Sequence, residues 1–184
     1  MAVRDVVHVP SSVLGSRCDE VAAVDDSVRA LVTDLIETMA ASPACVGLAA
    51  NQIGDNRRVF VVDVTGHPKT RVCHGRFVII NPVVIASDGV AMAREGCMSV
   101  PDLTGNVRRA ASLTVEGWDG DGAPLRIETD AFEARAIQHE LDHLDGKVFI
   151  DRVDSFAADV FRRQTYVKPP ERGEATRGRG TRIT

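Results

Sequence analysis

The chain has 184 residues, 44% of them hydrophobic, and a formal net charge of −4. That is enough for one domain with its own core and no disulfide staples, and too acidic for a protein that coats nucleic acid with its whole surface. The N-terminal stretch lacks the features of a secretory signal or transit peptide, no apolar run is long enough to span a bilayer, and the four cysteines (Cys18, Cys45, Cys73, Cys97) form no C-x-x-C pair; free thiols in a reducing cytoplasm are expected.

In chain order, "DDSVRALVTDLIETMAAS" (25–42) places Val28, Leu31, Val32, Leu35, Ile36 and Met39 at spacings of three and four, which predicts an amphipathic helix capped by Asp25 or Asp26 and stopped near Pro43. The small-residue stretch "CVGLAANQIG" follows, then two β-branched runs, "RVFVVDV" (58–64) and "FVIINPVVI" (77–85). "SLTVEGWDGDGAPLRIET" (112–129) reads as a hairpin turning through its Asp-Gly pairs. A second helix is predicted over Asp130 to Asp145, with Asp130 and Glu133 as a capping box and Gly146 at its C-terminal end. A third runs from about Asp154 to Tyr166. Helices and strands segregate rather than alternate, which indicates α+β. From Arg162 to Thr184 there are seven Lys or Arg and two Glu, a basic closing segment.

Within the second helix, "QHELDHLDG" contains H-E-x-x-H. Residues four apart on a helix lie only ~40° from each other around its axis, so His139 and His143 can reach one ion. Glu140 projects beside the open coordination position, where a carboxylate can take a proton from water. A catalytic site of this type needs a third protein ligand. The H-E-x-x-H-x-x-G-x-x-H variant is met through Gly146 but has Phe149 at the final position, and the late glutamates Glu171 and Glu174 sit in the Gly-rich end, so the ligand is sought upstream. His8 lies near a terminus, and His67 and His74 lie in a polar loop where a solvated side chain is the default. Cys18 and Cys45 are read as small buried hydrophobes. Cys97, in "REGCMSVP", is favoured over these because Gly96 adjoins it and Glu95 can orient a ligating imidazole.

Three co-ordered segments, "GLAANQIG" (47–54), "EGCMSVP" (95–101) and "QHELDHLDG" (138–146), resemble the motifs of the peptide deformylases, G-x-G-L-A-A-x-Q, E-G-C-[LM]-S and Q-H-E-x-D-H. Cys45 stands where the first motif has its first glycine. The resemblance implies antiparallel sheets packed around a central metal-binding helix, in a single catalytic domain over 1–165, with a basic tail at 166–184. It implies metal ligands Cys97, His139 and His143, Glu140 as general acid/base, Gln52 and the Met98 N–H as oxyanion donors, and Gly47 as a holder of the substrate main chain. Ala136 is a candidate for the methionine pocket.

The implied reaction is hydrolysis of the N-formyl amide on the initiator methionine of nascent polypeptides, releasing formate. The implied cofactor is one divalent ion, ferrous iron physiologically, with zinc, nickel or cobalt as substitutes. Contact of the basic tail with ribosomal RNA, a cytoplasmic location and no membrane association complete the expectation. The rival reading is a zinc peptidase that uses the same helix on internal peptide bonds.

Overall fold

The computed structural model describes residues 3–164. Its strands are Gly47–Ala49 (β1), Val59–Val62 (β2), Phe77–Asp88 (β3), Ala91–Cys97 (β4), Val100–Arg109 (β5), Ser112–Trp118 (β6), Pro124–Asp130 (β7) and Val160–Arg162 (β8), and its α-helices Asp26–Ala41 (α1), Ala131–Leu144 (α2) and Phe156–Asp159 (α3). The strands form two antiparallel sheets, one ordered β1-β2-β3-β6-β7 and a smaller one ordered β4-β5-β8.

The larger sheet is buried on both faces at β2, whereas the second half of β3 is exposed. The four residues of β2 are all fully buried, and since side chains alternate along a strand they serve two cores. Val59 and Val61 pack with Val28, Leu31, Leu35 and Met39 of α1, while Phe60 and Val62 pack with Ala134, Ile137 and Leu144 of α2. The run of β-branched residues in the sequence is thus a strand lying between two helices. Asp25 caps α1 by accepting from the Val28 N–H at 3.0 Å. β3 passes through Asn81-Pro82 with a register shift there; Asn81 adopts φ 52° and binds the main chain of Val21 through both side-chain atoms. A proline inside a strand is accommodated at such an irregularity.

α2 is enclosed on several sides. One stripe faces the large sheet, while Arg135, His139 and Asp142, at spacings of three and four, face β4 and β5 through Glu95 and Arg109. The α+β fold of antiparallel sheets around a central helix is therefore as expected. Gly146 closes α2 at φ 71°.

Two local expectations are corrected. Asp130 makes no capping hydrogen bond and no capping box forms: Glu133 instead accepts from Thr129 Oγ1 (2.7 Å) and the His74 N–H (2.9 Å), and lies 2.7 Å from His74 Nδ1. Thr129 and a histidine from a distant loop have captured the carboxylate. The third helix is only α3; the chain from Val160 becomes β8 because pairing with Leu103–Gly105 of β5 satisfies its backbone. The basic tail at 166–184 lies outside the described residues.

Phe149, the residue that displaces a third histidine from the motif, is buried with Cys97, Val100, Val107 and Val148. It anchors the small sheet to the chain that leaves α2. Phe149→Ala is expected to lower unfolding free energy by about 3–5 kcal/mol, measured by urea denaturation, whereas loss of under about 1 kcal/mol would mean the cluster closes around the gap.

Candidate active site

β4 and β5 are joined by the two-residue turn Met98-Ser99, with Cys97 opposite Val100. The turn brings Cys97 Sγ to 3.1 Å from His143 Nε2. Sγ and one ring nitrogen from each of His139 and His143 all lie within 4.8 Å of one another. One thiol and two imidazoles converging in this way fit a catalytic metal centre, in which three protein ligands leave a position for water.

The ligands are held by their neighbours. His139 Nδ1 lies 2.9 Å from Glu95 Oε2, which fixes the ring and leaves its other nitrogen for an ion. Glu95 is buried, yet Arg109 grips it with two bonds of 2.6 and 2.9 Å, and Arg135 adds a third of 2.7 Å. Burial pushes its carboxyl up, but the hydrogen bonds from His139 and Arg109 and their charges outweigh this and hold it well below the usual range. Burial and the charge of neighbouring His139 push His143 well below its ordinary value. This favours the neutral ring that metal ligation requires, whereas at His139 burial is outweighed by the hydrogen bonds to Cys97 and Glu95, which raise that ring well above its ordinary value, so binding of an ion there would release a proton. Asn51 Nδ2 donates to the His143 carbonyl at 2.5 Å, tying the helix to the segment that carries Gln52.

Glu140 is buried, and one carboxylate oxygen, Oε2, has no protein hydrogen-bond partner. Burial raises its pKa from 4.5 to about 7, the attraction of His139 and Arg109 offsetting part of that rise. The carboxylate lies against Gly47: a Cβ there would collide with it, 2.9 Å from Cδ. Gln52 Oε1 accepts from the Ala49 N–H (2.9 Å), which turns its amide nitrogen toward Cys97 Sγ (3.4 Å) and Ser99 Oγ (3.2 Å). Gly47, Gln52, Cys97, Met98, Ala136, His139 and Glu140 line one cavity of about 270 Å³, and His143 adjoins it through Cys97. Every site residue singled out in the sequence thus comes together.

Other participants were not legible. Arg109 carried no motif. His67, expected to be solvated, stacks on Phe132 with ring centroids 4.2 Å apart, and both line the cavity. The N-terminal segment also contributes: Val7 N–H donates to the Gln52 carbonyl (2.7 Å) and Val9 N–H to the Ser99 carbonyl (3.0 Å). Cys45 adopts no positive φ; that strain falls on Ala44, at φ 60°. The Cys45 thiol donates to the Gly47 carbonyl at 3.1 Å, and burial pushes its pKa up to about 12; Cys45 is half-buried, packs against the α1 core and also lines the cavity, rather than being the buried hydrophobe expected.

Comparison with known proteins places this geometry. The polypeptide deformylase family profile matches residues 3–159. A peptide deformylase of Syntrophobacter fumaroxidans is 37% identical over 164 residues, covering 89% of this chain and 94% of the relative, and peptide deformylase 2 of Vibrio vulnificus is 40% identical over 151 residues, covering 82% and 86%. Among solved structures, the peptide deformylase of Ehrlichia chaffeensis in complex with actinonin aligns with a TM-score of 0.79 at 35% identity, covering 85% of this chain and 92% of that one. A Met-Ala-Ser-bound peptide deformylase of Acinetobacter baumannii aligns with a TM-score of 0.76 at 28% identity, covering 83% and 100%.

The buried Glu140 yields a test on metal-stripped protein. A carboxyl whose pKa rises on folding costs stability that is absent below its unfolded value and grows until pH passes the folded value. The pH window is therefore about 4.5 to 7, and the full cost is about 3 kcal/mol. Relative to wild type, Glu140→Gln should gain stability between pH 5 and 8; thermal melts showing an equal difference at both pH values would contradict the burial argument.

Proposed function

Because the chain belongs to the polypeptide deformylase family, we propose that it hydrolyses the N-formyl amide of the initiator methionine on newly made polypeptides and releases formate, using the residues gathered around Cys97. The observation that carries the reading is the single cavity in which Glu140 lies beside a Cys/His/His set, with the Gln52 amide nitrogen 3.4 Å from Cys97 Sγ. The small residues Gly47 and Ala136 line this cavity, and a formyl group, whose carbon bears only a hydrogen besides its oxygen and nitrogen, is the least bulky acyl group such a lining could receive.

Cys97, His139 and His143 would hold a divalent ion, which when bound would supply Lewis-acid activation of water at the formyl carbon. Glu140 accepts the proton that the attacking water gives up. As the carbonyl π bond opens, negative charge gathers on the formyl oxygen, where the Gln52 side-chain N–H and the Met98 backbone N–H donate; one such donor is worth ~3 kcal/mol. Glu140 then returns its proton to the amine nitrogen as the C–N bond breaks, leaving formate and a free N-terminus. Gly47 holds the substrate main chain and leaves room for the Glu140 carboxylate. Ala136, with Phe132 and Val46, forms the apolar surface for the methionine side chain, in keeping with the Met-Ala-Ser peptide bound by the Acinetobacter relative.

Ferrous iron is the resident ion in this reading, by likeness to the family, and zinc, nickel or cobalt can take the same ligands. Ferrous iron is readily lost to oxidation, so protein prepared without oxygen is the proper sample, with its metal content assayed because affinity order favours zinc over iron. No helix among the described residues is long and apolar enough to cross a membrane. The reading includes action in the cytoplasm and contact between the basic tail and ribosomal phosphates, the latter supported by charge alone.

Anaerobically prepared protein is expected to release formate from formyl-Met-Ala-Ser and to leave an unfolded protein uncut; the reverse would make it a peptidase. Glu140→Ala should retain the ion by metal analysis and lose turnover, while Cys97→Ala should lose the ion itself. Gly47→Ala, whose methyl group displaces the Glu140 carboxylate, is expected to lower kcat about 100-fold with metal content unchanged, and undiminished kcat would show that the close contact plays no part.

A further inference from the structure

The mouth of the cavity carries positive charge that the chemistry does not use. Lys69, Arg94, Arg135 and Arg163 all line it. Arg135 is occupied by Glu95 and two main-chain carbonyls. The other three are exposed, and among the described residues none is paired with a carboxylate. The lining carboxylates, Glu95 and Glu140, are buried, the first gripped by its arginines. The rim is therefore cationic without compensation.

β8 sets this rim in place. Just past it, the Arg163 N–H donates to the Asp102 carbonyl at 2.8 Å, and Nη2 donates to the Cys97 carbonyl at 3.1 Å. The guanidinium lies over Gly96, where a Cβ would stand 2.6 Å from Nη2, so the absence of a side chain there is what admits it. Arg94 is held by Asn106 Oδ1 (3.1 Å) and Thr104 Oγ1 (3.2 Å), and its guanidinium carbon lies 3.5 Å from the ring centroid of Phe161, a β8 residue. One short strand thus fixes two arginines beside the metal-ligand turn, each with donors to spare.

We infer that Arg163, assisted by Arg94, selects substrates bearing an aspartate or glutamate at one of the two positions immediately after the formylated methionine. The inference rests on the deformylase reading. A formylated terminus is uncharged, so the head of the substrate neither repels nor occupies these cations. An extended chain advances ~3.3 Å per residue, so its next two side chains leave the cavity at the rim. A planar guanidinium matches a carboxylate in two-bond geometry. Because the pair is exposed to solvent, its effect is a bias of a few fold rather than an absolute requirement.

The test uses anaerobically prepared, metal-loaded enzyme and C-terminally amidated peptides of the form formyl-Met-Ala-X-Ser and formyl-Met-X-Ala-Ser, with X as Glu, Ala or Lys. At one of the positions kcat/KM for Glu is expected to exceed that for Lys about fivefold at low salt, through KM, and the ratio should shrink toward one near ~0.5 M salt. Arg163→Glu should invert the preference. A wild-type ratio near one at both positions at low salt, or a preference unmoved in folded Arg163→Glu protein, overturns the inference while leaving formate release, and so the deformylase reading, intact. Release from none of the peptides ends both. If Arg163→Glu does not fold, the wild-type salt series decides. Unchanged peptide preference with weakened ribosome binding would assign the rim to RNA phosphates and overturn the inference.

Discussion

The site depends on one buried carboxylate. Glu95 comes from β4, receives both branches of the Arg109 fork from β5, and binds Arg135 and His139 from α2. A lone charge in such a place would cost several kcal/mol. Here three cationic or polar hydrogen donors converge on two oxygens, so the charge is satisfied only when the hairpin and the helix meet in one register. Arg109 extends the arrangement to Asp142, which in turn holds Arg152 at 2.5 Å. Removal of one member leaves another buried charge unpaired, which is why such a network specifies an arrangement even where its net stabilisation is small.

This explains why a ligand set drawn from distant segments is stiff. Cys97 sits two residues past Glu95 on the same strand, and His139 is bonded to Glu95 directly. A shift of β4 along α2 would break the ion cluster before it spread the ligands. On the opposite side, Asn51 and Gln52 approach from the segment after β1, bonded to the His143 carbonyl and turned toward Cys97. Glu140, the carboxylate proposed as acid and base, is the acidic side chain of the cavity left without a full set of partners, with a pKa raised by burial to about 7, a value suited to both taking and giving a proton.

Much of this was legible because the signals were local or carried by motifs. The period of α1, the Asp-Gly turn of the β6-β7 hairpin, the burial of β2 and the stagger of His139 and His143 follow from spacing alone. What escaped depends on partners remote in sequence. The β4-β5 hairpin carries charged and small residues on a solvent-facing side, so no apolar alternation marks it. Glu133 was read as a cap because Asp130 lies three residues before it, but a histidine from a distant loop takes its oxygens. Val160–Arg162 follows a helix and was read as its continuation; only the free edge of β5 makes it a strand. Arg109 belongs to no motif, since its importance lies wholly in the buried charges it meets.

Residues 3–9 bear on the site in another way. The amide groups of Val7 and Val9 donate to the carbonyls of Gln52 and Ser99, the two residues that flank the corner proposed to bind the substrate oxygen. Local opening of a segment held by few hydrogen bonds needs no larger unfolding, so loss of these two bonds would reach that corner directly. Any change in the packing of residues 3–9 would therefore act as a load on the proposed active site, although this segment supplies no side chain to the cavity.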